Sequence, residues 1–584
     1  MKAKLKQRLG DLLVSEGIIS EAQLMEALAA QKQSGRKLGR TLIDLHLISE
    51  EQLLSFLAQQ MNIEFLDLRA QRIKPELVQL LPEVHARRYR ALVVAGDDNE
   101  LTVAMSDPAD LAAIDTLETL LAPRHVNLAV ATEGQLLDAF DNLYRHTDKI
   151  ASIAGELHEE YSAQSDFSLD ALVAEDADND TTVVRLLQSI FEDAVQVRAS
   201  DIHIEPDEKL LRIRYRVDGQ LMETTLSEYR VANALVLRIK LMAGLDISEK
   251  RLPQDGRFHM SVKNHEIDVR LSTMPVQFGE SVVMRLLDQS AGLLRLEETG
   301  MPAELIGRVR NQIKRPHGMI LVTGPTGSGK TTSLYAMLNE LNQAESKIIT
   351  VEDPVEYRLP RISQVQVNHK IGLDFSSVLR TTLRQDPDII MVGEMRDQET
   401  VEIGLRGALT GHLVLSTLHT NDAISSTLRL IDMGAAPYLV ASALRAIIAQ
   451  RLVRRVCPHC AQPHELSPGE KAWLSHVGGE ALVSESFKRG RGCQHCNQSG
   501  YRGRIGVYEM LELDEPMVEA LRRANPDAFA QAVRQSGQFR PLALAALDYA
   551  RQGITTLEEA MRLVEDASDL GGALAQRVTD GEVR

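Results

Sequence analysis

No stretch of this 584-residue chain approaches the roughly 18 uncharged apolar residues of a membrane-spanning helix, and its start, MKAKLKQRLGDLL, lacks an apolar export core. The chain is therefore expected in the cytoplasm, with any membrane contact peripheral. Cysteine is scarce as well. The four present fall in two close pairs, which without an export signal point to metal rather than disulfides. Aromatic residues make up only 4% of the chain, and no stripe interleaves them with basic residues. With a net charge of −17, that argues against a protein whose main task is tracking nucleic-acid phosphates. Lysine and arginine are missing altogether from Ile150 to Asp180, where Glu156, Glu159, Glu160, Asp166, Asp170, Glu175, Asp176, Asp178 and Asp180 accumulate. Residues 146–180 therefore read as a flexible acidic linker. The chain is too long for one core, so three to five domains are expected.

The chemistry centres on GMILVTGPTGSGKTTSL, Gly318 to Leu334. An apolar strand breaks into a Gly-rich loop that runs into a helix, and Gly324, Gly329, Lys330 and Thr331 satisfy G-x-x-x-x-G-K-[ST] in that setting. Gly324, Pro325, Thr326, Gly327, Ser328 and Gly329 form the loop, and its backbone N–H groups, which Pro325 lacks, together with the helix N-terminus at Thr331 and Thr332 suit phosphate oxygens. Lys330 would reach the β and γ phosphates of ATP, and Thr331 would take Mg²⁺. Further on, strand Ile348 to Val351 ends at Glu352 and Glu356, carboxylates able to orient an attacking water, with Glu352 preferred. Strand Ile389 to Val392 ends at Glu394, a candidate for the metal side. His412 and His419 flank strand Leu413 to Leu418, which favours a phosphate-sensing role for both.

Cys457 and Cys460, then Cys493 and Cys496, form CxxC pairs 32 residues apart. Four thiolates in two knuckles suit a closed, structural zinc site; a redox role is the weaker alternative because no thioredoxin-like context surrounds them.

The first sixty residues are a tandem repeat. Arg8, Leu9, Gly10, Leu13, Gly17, Leu24, Leu28 and Gln31 recur as Lys37, Leu38, Gly39, Leu42, His46, Leu53, Leu57 and Gln60 at an offset of 29 residues. Ser20 with Gln23, and Ser49 with Gln52, read as capping boxes that open two helices. Packing alone accounts for the leucines and caps but not for the repeated cation and glutamine. Strands are then expected at Ala91 to Gly96, Leu101 to Met105 and Val126 to Ala131, with a helix cap at Thr132. From Thr181 a new domain opens with helix Val183 to Val195 and a strand in which Leu211, Ile213, Tyr215 and Val217 alternate with Arg212, Arg214 and Arg216. Those arginines are either a solvated face or, beside a nucleotide, stabilisers of γ-phosphate charge. Beyond Glu512 helical patterns run to about Glu565, and a polar tail follows.

Taken together, GPTGSGKTT, VEDPVEY, DPDIIMVGEMRD, TGHLVLSTLHTND and the cysteine pairs resemble the type II secretion and type IV pilus assembly ATPase family. ASDIHIEP, RYRVDG, PQDGR and DVRLSTMPVQFGESVVMRLL extend the likeness, which covers roughly Thr181 to Leu513. It implies a multidomain α/β protein. The expected parts are an N-terminal module (1–145), the linker (146–180), a PAS-like α+β regulatory domain (181–290), a RecA-like ATPase domain (300–513) with a zinc-binding region (457–496), and C-terminal helices (514–584). It further implies a homohexameric ring acting on an inner-membrane platform protein, with Glu394 as Walker B glutamate, His412 and His419 in a histidine box, and Arg257, Arg270, Arg216 and Arg285 reaching the nucleotide. The repeat resembles the cyclic di-GMP-binding domain of mannose-sensitive haemagglutinin pilus ATPases, so one cyclic di-GMP is expected across the two copies, with the cations, glycines, leucines and glutamines as its contacts. Lys37 and His46 depart from that pattern, and Lys37 gives up the planar, bidentate guanidinium. The competing reading is a nucleic-acid-translocating or conjugation-type ring, disfavoured by the acidic charge.

Overall fold

The computed structural model describes residues 9–34, 38–45, 47–61, 63–68, 71, 73–97, 99–108, 110–144, 147–163, 182–229, 231–263, 265–289, 294–478 and 480–565. Arg8, Lys37, His46, residues 164–181 of the acidic stretch and the tail after Glu565 lie outside them. The chain forms two compact units, 1–258 with 270–285 and 492–499, and 259–269 with 286–491 and 500–584.

In the first unit the repeat folds as α1 (Leu9–Ser15), α2 (Glu21–Ser34), α3 (Leu38–Asp44) and α4 (Glu50–Met61). Both capping boxes form reciprocally. Ser20 N donates to Gln23 Oε1 at 2.8 Å and Gln23 N to Ser20 Oγ at 3.3 Å; Ser49 and Gln52 repeat the exchange at 3.1 Å each way. Gly17 has φ +70°, a left-handed turn that favours glycine. Gly10 serves helix packing: a Cβ there would lie 2.7 Å from Leu24 Cδ1 and 3.3 Å from Leu38 Cδ2. The leucines divide in the same way. Leu13, Leu42, Leu53 and Leu57 are buried in the module's core, whereas Leu28 is exposed.

The α/β module that follows has a four-stranded sheet of β1 (Glu64–Phe65), β2 (Ala91–Gly96), β3 (Glu100–Met105) and β4 (His125–Val130), in the order β1-β4-β3-β2. It carries α5 (Leu111–Leu120) and α6 (Glu133–Leu143), the latter capped by Thr132 as expected. Glu50 of α4 accepts the amide of Glu133 at 3.0 Å, and Val130 joins the repeat's core, so the two modules are fastened together.

The expected linker is corrected in its first half. Residues Thr147–Ala163 form a helix, α7, because Ile150, Ile153, Ala154 and Leu157 recur at helical spacing and are all buried. The acidic residues on its other faces hid that stripe from a reading by composition. Next come α8 (Thr182–Gln196), α9 (Val231–Met242) and a six-stranded sheet ordered β7-β6-β5-β10-β9-β8. Its strands are β5 (Asp201–Pro206), β6 (Leu211–Val217), β7 (Gln220–Leu226), β8 (Gln254–Val262), β9 (His265–Val276) and β10 (Gly279–Asp288). The basic face of β6 is largely neutralised, with Arg212 on Asp207 at 2.7 Å and Arg214 on Glu205 at 2.5 Å.

The second unit is built on a seven-stranded sheet ordered β13-β12-β14-β15-β11-β16-β19. The strands are β11 (Gly318–Thr323), β12 (Ile348–Glu352), β13 (Ser363–Gln366), β14 (Ile389–Val392), β15 (Leu413–Leu418), β16 (Leu444–Val456) and β19 (Tyr501–Glu512). All run parallel except β19, and a hairpin of β17 (Ala461–His464) and β18 (Phe487–Gly490) intervenes. Strands β11, β14 and β15 are buried throughout, as parallel strands covered by helices on both faces must be. The covering helices include α10 (Lys330–Leu341) and α11 (Ala423–Asp432); α12 (Glu515–Arg522), α13 (Pro526–Gln535), α14 (Leu542–Arg551) and α15 (Leu557–Glu565) close the chain.

Candidate active site

In an open parallel sheet, ligands bind beyond the carboxyl ends of the strands, beside a switch in strand order. Here β11, first of the parallel strands in the sequence, lies between β15 and β16, and its carboxyl end opens into the Gly324–Gly329 loop. Three glycines of the loop have positive φ: Gly324 at +149°, Gly327 at +79° and Gly329 at +88°. A Cβ on Gly324 would sit 2.5 Å from both Gln450 O and Ser328 Oγ, so only glycine fits. Lys330 opens α10, with its Nζ donating to Gly324 O at 2.8 Å and Pro325 O at 3.0 Å. Burial pulls the Lys330 ammonium down to about 8, against the pull of Glu394. Ser328 Oγ is buried with no hydrogen-bond partner among the described residues. An orphaned hydroxyl, a cationic side chain and a loop of positive-φ glycines, with Gly324 closed to any Cβ, together fit a bound phosphate chain; Thr331, exposed on the first turn of α10, is free of the core to meet Mg²⁺.

Parallel register brings His419 and Glu394 to the same edge. Thr323 pairs with Leu418, so His419 emerges beside the loop, and Val392 pairs with Ser416, so Glu394 follows one strand further. His419 Nδ1 lies 3.5 Å from Lys330 Nζ, and its Nε2 lies 3.3 Å from Glu394 Oε2. Arg396 pairs with the other oxygen of Glu394.

Two of the expected residues stand apart from this chain of contacts. His412 stands at the amino end of β15, its Nδ1 2.9 Å from Gly407 O; a six-residue strand separates it from His419 by about 20 Å, so the two histidines share no site. Glu352 is 3% exposed, and both its oxygens are taken inside the core. Tyr335 donates to one; Thr350 at 2.5 Å and Gln364 at 3.2 Å donate to the other. Burial raises its carboxyl above the usual range despite these bonds. Glu356 is next to the same network through its amide, which donates to Tyr335 Oη at 3.3 Å.

Several contributors escaped the sequence reading. Gln450 of β16 is 1% exposed, donates to Ser328 O at 2.7 Å and accepts from Ser333 Oγ at 2.7 Å, clasping the loop to its neighbouring strand. Arg451 donates to Asn421 Oδ1 at 3.1 Å. The available signal was a polar pair, Gln450-Arg451, inside an otherwise apolar run.

Arg216, Arg257, Arg270 and Arg285 belong to the first unit, not the one holding the phosphate loop. Asp201 receives Arg285 Nε at 3.1 Å, and Arg216 Nη1 donates to Gly219 O at 2.9 Å. The four cysteine Sγ atoms lie within 4.8 Å of one another, all buried, and no disulfide joins them. Cys493 and Cys496 are 3.7 Å apart, matching the roughly 3.8 Å edge of a tetrahedron with 2.3 Å zinc–sulfur bonds. Among the described residues no helix is long and apolar enough to cross a membrane.

A family model described as Type II/IV secretion system protein matches residues 176–562, and an MshEN domain model matches 61–150. The Type IV pilus assembly ATPase PilB of Myxococcus xanthus is 40% identical over 94% of this chain and 98% of its own. The Type II secretion system ATPase E of Vibrio cholerae is 41% identical over 84% of this chain and 97% of its own. A solved structure of MshE with cdg is 53% identical, covering 24% of this chain and all of that one, with a TM-score of 0.23. The chain belongs to the Type II/IV secretion system protein family, as an ATPase of the secretion and pilus-assembly kind with an MshEN domain ahead of its motor.

Proposed function

We propose that the protein is a homohexameric cytoplasmic ATPase that powers assembly of a type IV pilus of the mannose-sensitive haemagglutinin type, or type II secretion, under control of cyclic di-GMP. The observation that carries the motor reading is the chain of contacts Lys330, His419, Glu394 at the carboxyl edge of the parallel sheet. In this reading Lys330 exchanges the carbonyls of its own loop for β and γ phosphate oxygens, and Thr331 holds Mg²⁺. Glu394 orients the attacking water or the metal shell, and His419 reads the γ-phosphate between lysine and glutamate. Zinc held by Cys457, Cys460, Cys493 and Cys496 is structural, while Arg216, Arg257, Arg270 and Arg285 supply charge to the nucleotide from the regulatory domain. The ring acts on an inner-membrane platform protein, which makes its membrane contact peripheral.

Cyclic di-GMP control rests on the tandem repeat and the MshEN match behind it. Leu13, Leu42, Leu53 and Leu57 are buried in the core, and the contacts proposed beside them are Arg8 and Lys37, Gly10, Gly17 and Gly39, Leu9, Leu24, Leu28 and Leu38, and Gln31 and Gln60. The pilus reading is preferred for the tandem repeat's resemblance to the mannose-sensitive haemagglutinin pilus ATPases; coverage does not divide the two, since the pilus ATPase relative spans 94% of the chain and type II secretion relatives 84% and 96%. The deciding experiment replaces the native gene by Lys330→Ala. Loss of surface pili with exoprotein secretion intact supports the pilus; the reverse supports secretion. ATP turnover strongly raised by DNA would instead favour the conjugation-type alternative.

A further inference from the structure

Within the second unit, one buried carboxylate stands outside the nucleotide machinery described so far. Glu509, on β19, is 3% exposed. One of its oxygens accepts the amide of Ala423 at 2.6 Å and the other the amide of Leu542 at 2.9 Å. Ala423 is the first residue of α11 and Leu542 the first of α14. Amides at a helix start lack intrahelical partners and carry its partial positive charge, so a single carboxylate caps two helices at once. Asp422 caps α11 separately by accepting from Ser425 N at 2.7 Å. Glu509 therefore grips an amide that the ordinary cap leaves over.

What makes this more than a double cap is where α11 begins. It follows directly on the loop His419, Thr420, Asn421, Asp422, whose histidine lies against Lys330 and Glu394. The first turn of α11 also reaches back to the phosphate loop's own strand. Ser426 Oγ lies 2.5 Å from Thr420 Oγ1 and 3.1 Å from Thr323 Oγ1, the last residue of β11. Arg451 holds Asn421 from β16, the neighbour of β19. Every residue of the histidine loop is thus tied down, and the tie that leaves the nucleotide edge for the C-terminal helices runs through Glu509. The charged groups around it are Asp422 and Arg451; burial pushes its carboxyl up to about 7 against the two amides. A desolvated acid is a costly way to close two helix ends that neutral acceptors would also satisfy.

We propose that Glu509 is a positioning residue for ATP hydrolysis: it sets the His419 to Asp422 loop against the phosphate loop and joins that setting to α14. The inference rests on the reading of His419 as a phosphate-edge residue. Its test is a double-mutant cycle in the full-length chain, with Glu509→Gln, His419→Ala and both together, scored by kcat, KM and affinity for a non-hydrolysed ATP analogue. Glutamine keeps the shape and one acceptor but turns an N–H donor toward the second amide. The expected result is a kcat at least ~10-fold lower, with KM and analogue affinity within ~2-fold. In the His419→Ala background the same substitution should cost less than ~2-fold, because the loop it positions has lost its working group. An unchanged kcat, or an equal loss in both backgrounds, overturns the proposal and leaves Glu509 a cap for folding alone. If Glu509→Gln does not fold, Glu509→Asp, which keeps the charge but is too short for both amides, goes through the same cycle under the same criteria. His419→Ala at the wild-type rate would instead refute the reading on which this one rests.

Discussion

Replacing Glu394 and Glu352 separately by glutamine should separate a chemical role from a structural one. The strand of Glu394 lies two positions from β11 and that of Glu352 three, which at about 4.8 Å per strand is roughly 10 Å against 14 Å. More decisive is what their oxygens do. Glu394 faces His419 and Arg396 at the open edge, whereas Glu352 is closed in by Tyr335, Thr350 and Gln364. Glutamine at 394 removes the one negative charge that, among the described residues, contacts the Lys330–His419 pair, and loss of a group that positions water or metal costs ~10²- to 10³-fold in kcat, about 3–4 kcal/mol of barrier. ATP binding should persist, because Lys330 and the loop amides are untouched. Glutamine at 352 leaves those groups alone but gives one of three donors a poorer partner, a loss of about 1–2 kcal/mol in a domain of about 200 residues, or roughly 2–8 °C in melting temperature. Its kcat should stay within ~5-fold. Single-turnover hydrolysis, analogue affinity and thermal unfolding of the two variants decide the matter. A collapse of turnover in Glu352→Gln at unchanged melting temperature, with Glu394→Gln active, would refute the assignment.

Three further outcomes are expected. Lys330 sits at about 8 in the protein but must be charged against phosphate, so ATP binding at pH 8.5 should take up more than about half a proton, and almost none at pH 7. Calorimetry in buffers of different ionisation enthalpy reads that uptake directly, and its absence at pH 8.5 refutes the burial argument. Elemental analysis of protein purified without chelator should find about one zinc per chain, and Cys460→Ser should lower the melting temperature rather than remove a chemical step. Titration of the full chain with cyclic di-GMP should show Arg8→Ala binding at least ~10-fold more weakly, of order 1.4 kcal/mol, since a charged hydrogen-bonding group is lost; equal affinity would leave the repeat as a packing or docking module.

Much of this protein is written locally. A strand, a glycine loop and a helix start are consecutive residues, so Gly324 to Thr331 declared a phosphate site without tertiary knowledge, and the capping boxes at Ser20 and Ser49 formed as read because each joins residues three apart. The cysteine pairs were legible for the same reason. What lay beyond reach was any property set by strand order or by which face is covered. His412 and His419 looked equivalent as two ends of one strand, yet only the carboxyl end meets the loop, since all the strands flanking β11 point one way. Glu352 looked as available as Glu394 until the packing of Tyr335 and Gln364 closed over it. In α7 the acidic composition outweighed four buried apolar residues that only a partner surface makes meaningful. Glu509 joins amides 86 and 33 residues away, a relation no local pattern contains. Spacing along the chain determines which groups are available, because covalent geometry carries it; burial and strand order decide which of them meet, because both depend on residues far apart in sequence.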